Sequence, residues 1–276
     1  MNLLSIKKIT LFNNYTLQIN IFLIFLKTLN QNQTTNPLKE NQKKPFYLIL
    51  FGIFLSISNS YCQTSSETIS TYNWFDTNIG VESLDFENGP AHLNFDRIAN
   101  NQNRYYISEN FEKGNIRYNN QDYFDLLLNY DTYSDELILK PYGESNTTKI
   151  NLIKENVSSF KIRNEKFVNL KITNSIPFKK GYYEEVLIKN STTLFIKHYK
   201  EKKKINKTEI DLIEFAPKYN FILLKENKFY QINDKKEIIL LFPNDKKKIN
   251  DFYSDYRSLK KDNPPLFMKN LLKSIN

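Results

Sequence analysis

The sequence predicts a mainly β protein, an antiparallel meander closing into a sandwich or a barrel-like sheet, with a C-terminal α-helical segment. Three observations predict it. Runs rich in Tyr, Phe, Ile and Leu recur at intervals of roughly 8–12 residues through the middle of the chain. Polar turn-forming clusters separate them, such as Asp131-Thr132-Tyr133-Ser134-Asp135. After Gln231 the period of apolar residues changes from two to three and four.

The clearest strand pair is Tyr123–Tyr130 with Glu136–Pro141, inside the dense stretch Gly114–Leu139. Arg104–Ile107, Asn115–Tyr118 and Lys149–Ile153 are strand-like, and Ala91–Phe95 is a further candidate after the Asn88-Gly89-Pro90 turn. Val157–Ile162 with Lys166–Ile172, and Tyr182–Lys189 with Thr193–Tyr199, read as two more hairpins. The basic run Lys200–Lys204 reads as an exposed loop, and Ile210–Phe215, Lys218–Leu224 and Lys228–Ile232 complete the β region. Asp234 is placed to cap a helix over Lys235–Phe242, stopped by Pro243. A second helix is expected from Lys246 to about Lys260, with Ile249, Phe252, Tyr253, Tyr256 and Leu259 on one face. Pro264-Pro265 opens a third, Leu266–Ile275.

The first 62 residues read differently. Lys43-Lys44, the apolar run Pro45–Leu55 and the small-residue region Ser56–Cys62 have the three parts of a secretory signal, with cleavage before Gln63. The apolar run is short of the ~20 residues a membrane span needs. The expectation is therefore an exported chain, periplasmic or extracellular, without a stable membrane span once mature. Anchoring through an uncleaved N-terminal apolar segment is the alternative. Residues 1–42 read as a gene-model extension or an apolar, disordered leader, and 63–87 as a flexible leader. Residues 88–233 form the β-rich domain, and 234–276 hold helices packed on it. Cleavage after Cys62 would leave no cysteine, which removes disulfides and thiol nucleophiles together.

Composition narrows function. The 276 residues carry a net charge of +9, of which +5 falls before Gln63. The remaining charge is too mild to argue for nucleic-acid binding. Only six glycines are present, with no Walker or dinucleotide loop and no Gly-x-Ser-x-Gly elbow. The two histidines, His92 and His198, fall on separate expected strands with no His-x-x-His spacing, and read as strand surface residues rather than zinc ligands. Asp122, Asp125, Asp131, Asp135 and Glu136 form an acidic cluster. It matches no EF-hand and reads first as turn chemistry, second as a carboxylate pair for glycoside hydrolysis. On the turn reading, Asp131→Ala costs about 1 kcal/mol. Tyr105, Tyr106, Tyr182 and Tyr183 could offer a sugar platform, though one ring of each pair should face the core. Lys200–Lys204 and Lys246–Lys248 read as solvated faces.

The order of Asn88-Gly89-Pro90, Lys113–Tyr118, Leu128–Asp131 with Asp135–Ile138, Val157 with Phe160, and Gly181–Glu184 resembles a family of uncharacterised secreted, β-rich proteins from Bacteroidota. These have a signal ending before Gln and a Lys-rich helical C-terminal tail. The resemblance implies export and this architecture, and no catalytic residue. The sequence therefore points to a non-catalytic structural or binding module of the periplasm or cell envelope, not an enzyme. No catalytic, metal or cofactor residue is assigned, and an envelope protein or polysaccharide is the expected partner. The alternative is a carboxylate-dependent hydrolase acting on envelope or environmental polysaccharide.

Overall fold

The computed structural model describes residues 66–80, 84–99, 102–141, 148–171, 178–189, 192–205 and 212–275. The expected signal segment and the leader before it lie outside these residues. The β region is one antiparallel sheet of ten strands among the described residues. They are β1 (Glu112–Tyr118), β2 (Gln121–Asp131), β3 (Glu136–Lys140), β4 (Ile150–Asn151), β5 (Val157–Ile162), β6 (Glu165–Leu170), β7 (Gly181–Leu187), β8 (Thr193–Ile205), β9 (Leu212–Lys225) and β10 (Lys228–Gln231). Their order across the sheet is β4-β3-β2-β1-β5-β6-β7-β8-β9-β10, two meanders joined where β5 returns beside β1.

The sheet curls strongly. Tyr130 on β2 lies 5.8 Å from Tyr182 on β7, although three strands separate β2 from β7 in the sheet. A β-bulge contributes: the β1–β2 register shifts between Gly114 and Ile116, and Asp125 takes a φ of 56° opposite it. Bulges of this kind bend a strand and raise its twist. The concave side holds a core of Ile116, Leu128, Tyr130, Leu139, Phe160, Phe167 and Tyr182. Phe160 and Phe167 stack at 4.8 Å on neighbouring strands, a cross-strand pair that favours this register.

An extended strap of chain, described at residues 90–99 and 102–106, ties the curled sheet across. Near its start the backbone bonds β4: His92 N donates to Lys149 O, and Asn151 N donates to Pro90 O. Further on it bonds β9, through Ala99 N to Ile213 O and Phe215 N to Gln102 O. It then returns to β2, where Tyr106 N donates to Tyr130 O and Thr132 N to Arg104 O. Local sequence shows candidate strands here but not the long-range partners that hold them.

The helices are α1 (Ser66–Ile79), α2 (Lys235–Leu241), α3 (Lys246–Asp255), α4 (Arg257–Asp262) and α5 (Pro264–Ile275). A capping box at Asp234 and Glu237 starts α2 as expected. The second expected helix is broken at Tyr256 into α3 and α4. Phe267, Met268, Leu271 and Leu272 of α5 bury against Leu194, Ile196, Phe221 and Leu223 of β8 and β9. Each such burial stabilises by about 1.5–3 kcal/mol, which short helices need in order to persist.

Two further elements depart from the sequence reading. Ser66–Ile79 is helical where a leader was expected. Its hydroxyls bond back one turn, Ser70 to Ser66 O and Thr71 to Glu67 O, which lets Ser and Thr sit in a helix. Lys200–Lys204 is not a loop but the outer half of β8. Its partner β9 runs straight through Pro217, which lacks a ladder N–H; β10 pairs only with Ile222–Lys225, so Pro217 lies where that edge carries no strand.

Candidate functional site

The β2–β3 turn is built around Asp131. Its Oδ1 accepts from Tyr133 N at 3.0 Å and Ser134 N at 3.1 Å, the local bonding expected of a turn aspartate. Its Oδ2 does something local sequence does not show: it accepts from Arg104 Nε of the strap at 2.6 Å. Asp131 is fully buried, and the Arg104 side chain is 10% exposed. Arg104 also donates to Asn94 Oδ1 and Ser134 Oγ, and lies 3.6 Å from Asp96. One guanidinium thus joins the strap to the turn.

Along the strap, side chains alternate. His92, Asn94 and Asp96 are half-buried, while Leu93 and Phe95 point to solvent. The backbone bonds to Lys149 and Ile213 set that alternation and bring His92 over the turn. Side-chain atoms of His92, Asp131 and Glu136 then lie within 4.8 Å of one another. Glu136 Oε2 accepts from Asn151 Nδ2 of β4 at 2.9 Å. The other end of that amide, Asn151 Oδ1, is 2.8 Å from His92 Nδ1, and His92 Nε2 is 3.2 Å from the Tyr105 hydroxyl.

Burial holds the His92 pKa below its ordinary value. The Asn151 hydrogen bond and the Asp131 carboxylate oppose this, and the Arg104 cation adds to it. With an ordinary value of 6.5 lowered further, the imidazole is neutral at pH 7. Burial, and next the Asp131 charge, raises the Tyr105 phenol, so its hydroxyl keeps its proton. The trio therefore offers a neutral imidazole base, a half-exposed carboxylate and a buried carboxylate whose oxygens are already bonded. His–carboxylate trios also bind divalent cations. Here a cation would share Asp131 with the Arg104 guanidinium, and like-charge repulsion makes the acid–base use the better fit.

This arrangement corrects the expectation of a non-catalytic module. That reading rested on His92 and the acids being separate in sequence, and the strap brings them into one cluster. The other sequence candidates disperse. Asp122 pairs with Arg117 on the surface, and Asp125 at the bulge accepts from Asn73 of α1. Asp135 binds Tyr130 Oη, Lys154 and Lys197. His198 is not a surface residue: it is buried, its Nε2 2.8 Å from Glu184 Oε2, and Glu184 also pairs with Lys269 of α5. The tyrosines give no platform, since Tyr105, Tyr182 and Tyr183 are buried and Tyr106 packs edge-on against Phe167. Lys248 meets Asp245 at 3.1 Å, and Lys202 meets Asp96 at 2.7 Å. Among the described residues no helix is long and apolar enough to cross a membrane.

Arg104 and Asn151 were not singled out from sequence, and Tyr105 was read only as part of a sugar platform, not as a partner of His92. The only signal was polar residues at alternate strap positions 92, 94 and 96, where an edge strand would also place them. No family model matches the chain, and searches of curated proteins and of solved structures likewise find no match. The site therefore rests on its own chemistry.

Proposed function

We propose that the protein is a carboxylate-dependent hydrolase acting at the His92–Asp131–Glu136 cluster, with polysaccharide of the envelope or the surroundings as substrate. The observation that carries this is the convergence of the three groups within 4.8 Å of one another. His92 Nε2 is the base that takes a proton from water by way of the Tyr105 hydroxyl, which gives its own proton to Nε2 and regains one from the water. The imidazolium that forms is stabilised by the carboxylates of Asp131 and Glu136, both of which favour the charged ring. Glu136 is the carboxylate that solvent and substrate can reach. Asp131 is held by three donors and serves as a fixed charge. The apolar signal before Gln63 supports export, which would bring such an enzyme to envelope or external glycans.

Reducing-end release from a panel of bacterial and plant polysaccharides tests this. Activity that falls at least about 100-fold in both His92→Gln and Glu136→Gln is expected. Activity close to wild type in either variant, or no turnover across the panel, overturns it.

A further inference from the structure

The hydrogen bonds around His92 determine which of its nitrogens is basic. A carboxylate only accepts, so the Asn151 amide must turn its Nδ2 toward Glu136 Oε2. Asn151 Oδ1 then faces His92 Nδ1 at 2.8 Å and, being only an acceptor, requires a proton on that nitrogen. In the neutral ring Nε2 is consequently bare, and the Tyr105 hydroxyl donates to it. The result is a directed chain of donors from Tyr105 through His92 and Asn151 to Glu136. Asn151 is held in turn by the ladder of its own strand, opposite Ile138, and by its N–H to Pro90 O. Its side chain is thus placed by backbone on two sides.

We propose that Asn151 is a positioning residue that fixes His92 as the Nδ1–H tautomer, with its basic Nε2 turned to Tyr105. The catalytic meaning of this rests on the hydrolase reading above; the tautomer does not. An imidazole locked this way presents its lone pair in one direction, toward the Tyr105 hydroxyl, which becomes the point where protons enter and leave the chain. Asn151 needs no contact with substrate in this role. It acts through His92 and Glu136.

Long-range proton–nitrogen correlation spectra of the full-length ¹⁵N-labelled protein at neutral pH test it. Only His92 and His198 give ring signals, and His92→Gln identifies the His92 set by its loss. In the wild type, His92 is expected to show a protonated Nδ1 and an unprotonated Nε2. Asn151→Ala should remove that bias, which one or two neutral hydrogen bonds set at about tenfold. Asn151→Asp keeps an acceptor for Nδ1–H and should preserve the tautomer while losing the donor to Glu136. A wild-type His92 protonated at Nε2, or an Asn151→Ala spectrum identical to wild type, overturns the proposal. If Asn151→Ala unfolds, the wild-type and Asn151→Asp spectra still decide it: both must show the same Nδ1–H form. Absence of turnover on polysaccharides, with the tautomer as expected, would sink only the hydrolase reading.

Discussion

Arg104 Nε and Asp131 Oδ2 meet at 2.6 Å inside the protein, joining residues 27 positions apart. The pair fastens the strap to the turn that carries Glu136, so it supports the site without being its reactive part. Breaking a buried pair leaves one charge without its partner, at a cost of about 3–5 kcal/mol. Asp131→Ala is therefore expected to cost several times the ~1 kcal/mol of a lost turn bond alone. Urea denaturation would measure it. A loss below about 1.5 kcal/mol would show that the pair contributes little beyond the turn.

Gly181 opens β7 with a φ of 136°, a conformation that L side chains rarely adopt. A Cβ there would lie 1.9 Å from Asp135 Oδ2 and 2.8 Å from Lys197 Nζ. Gly181→Ala should cost about 2 kcal/mol or more through strain and displacement of Asp135. Denaturant midpoints would report it. A neutral substitution would mean that the Asp135 cluster moves aside freely.

Stability should fall as pH drops from neutral. Burial lowers both His92 and His198 below 6.5, so the unfolded chain takes up these protons first. Glu184 adds to this. Burial raises its pKa, but the hydrogen bonds and charges of His198 and Lys269 outweigh burial and leave it lowered. Its contribution is present above its unfolded value and is lost as pH falls through the folded one. Urea midpoints taken from pH 7.5 down to pH 4 would follow the decline. His198→Gln should flatten its upper part, near pH 6, and an unchanged slope there would count against His198 as the source.

At alkaline pH the sign reverses its cause. Burial brings Lys197 and Lys200 down to about 8, below the ordinary 10.5. Between about 8 and 10 the unfolded chain holds more protons, so stability rises with pH. Above 10 it falls again, because buried tyrosines such as Tyr123 and Tyr253, both pushed up to about 12, keep protons that the unfolded chain releases. A stability maximum near pH 10 is expected in Lys197-containing protein. Lys197→Met should weaken the rise, and the same rise in that variant would assign it to Lys200.

Residues Gly114–Leu139 show where local sequence suffices. The alternation through Leu126, Leu128 and Tyr130, and the turn chemistry of Asp131, are readable without a structure because both depend on near neighbours. So are the capping box at Asp234 and the stop at Pro243. The bulge at Asp125 and the break at Tyr256 are less visible, since each answers to packing as well as to propensity.

The amino-acid order by itself determined a β meander followed by helices, because side-chain period and turn residues act over a few positions. Only the tertiary structure decided that His92, Asn151 and Glu136 form one hydrogen-bonded chain. His92 and Asn151 lie 59 residues apart, and what joins them is a strap paired to β4 and β9 through backbone groups that every residue possesses. Backbone pairing carries no residue signature, so the convergence it creates could not be read from the residues alone.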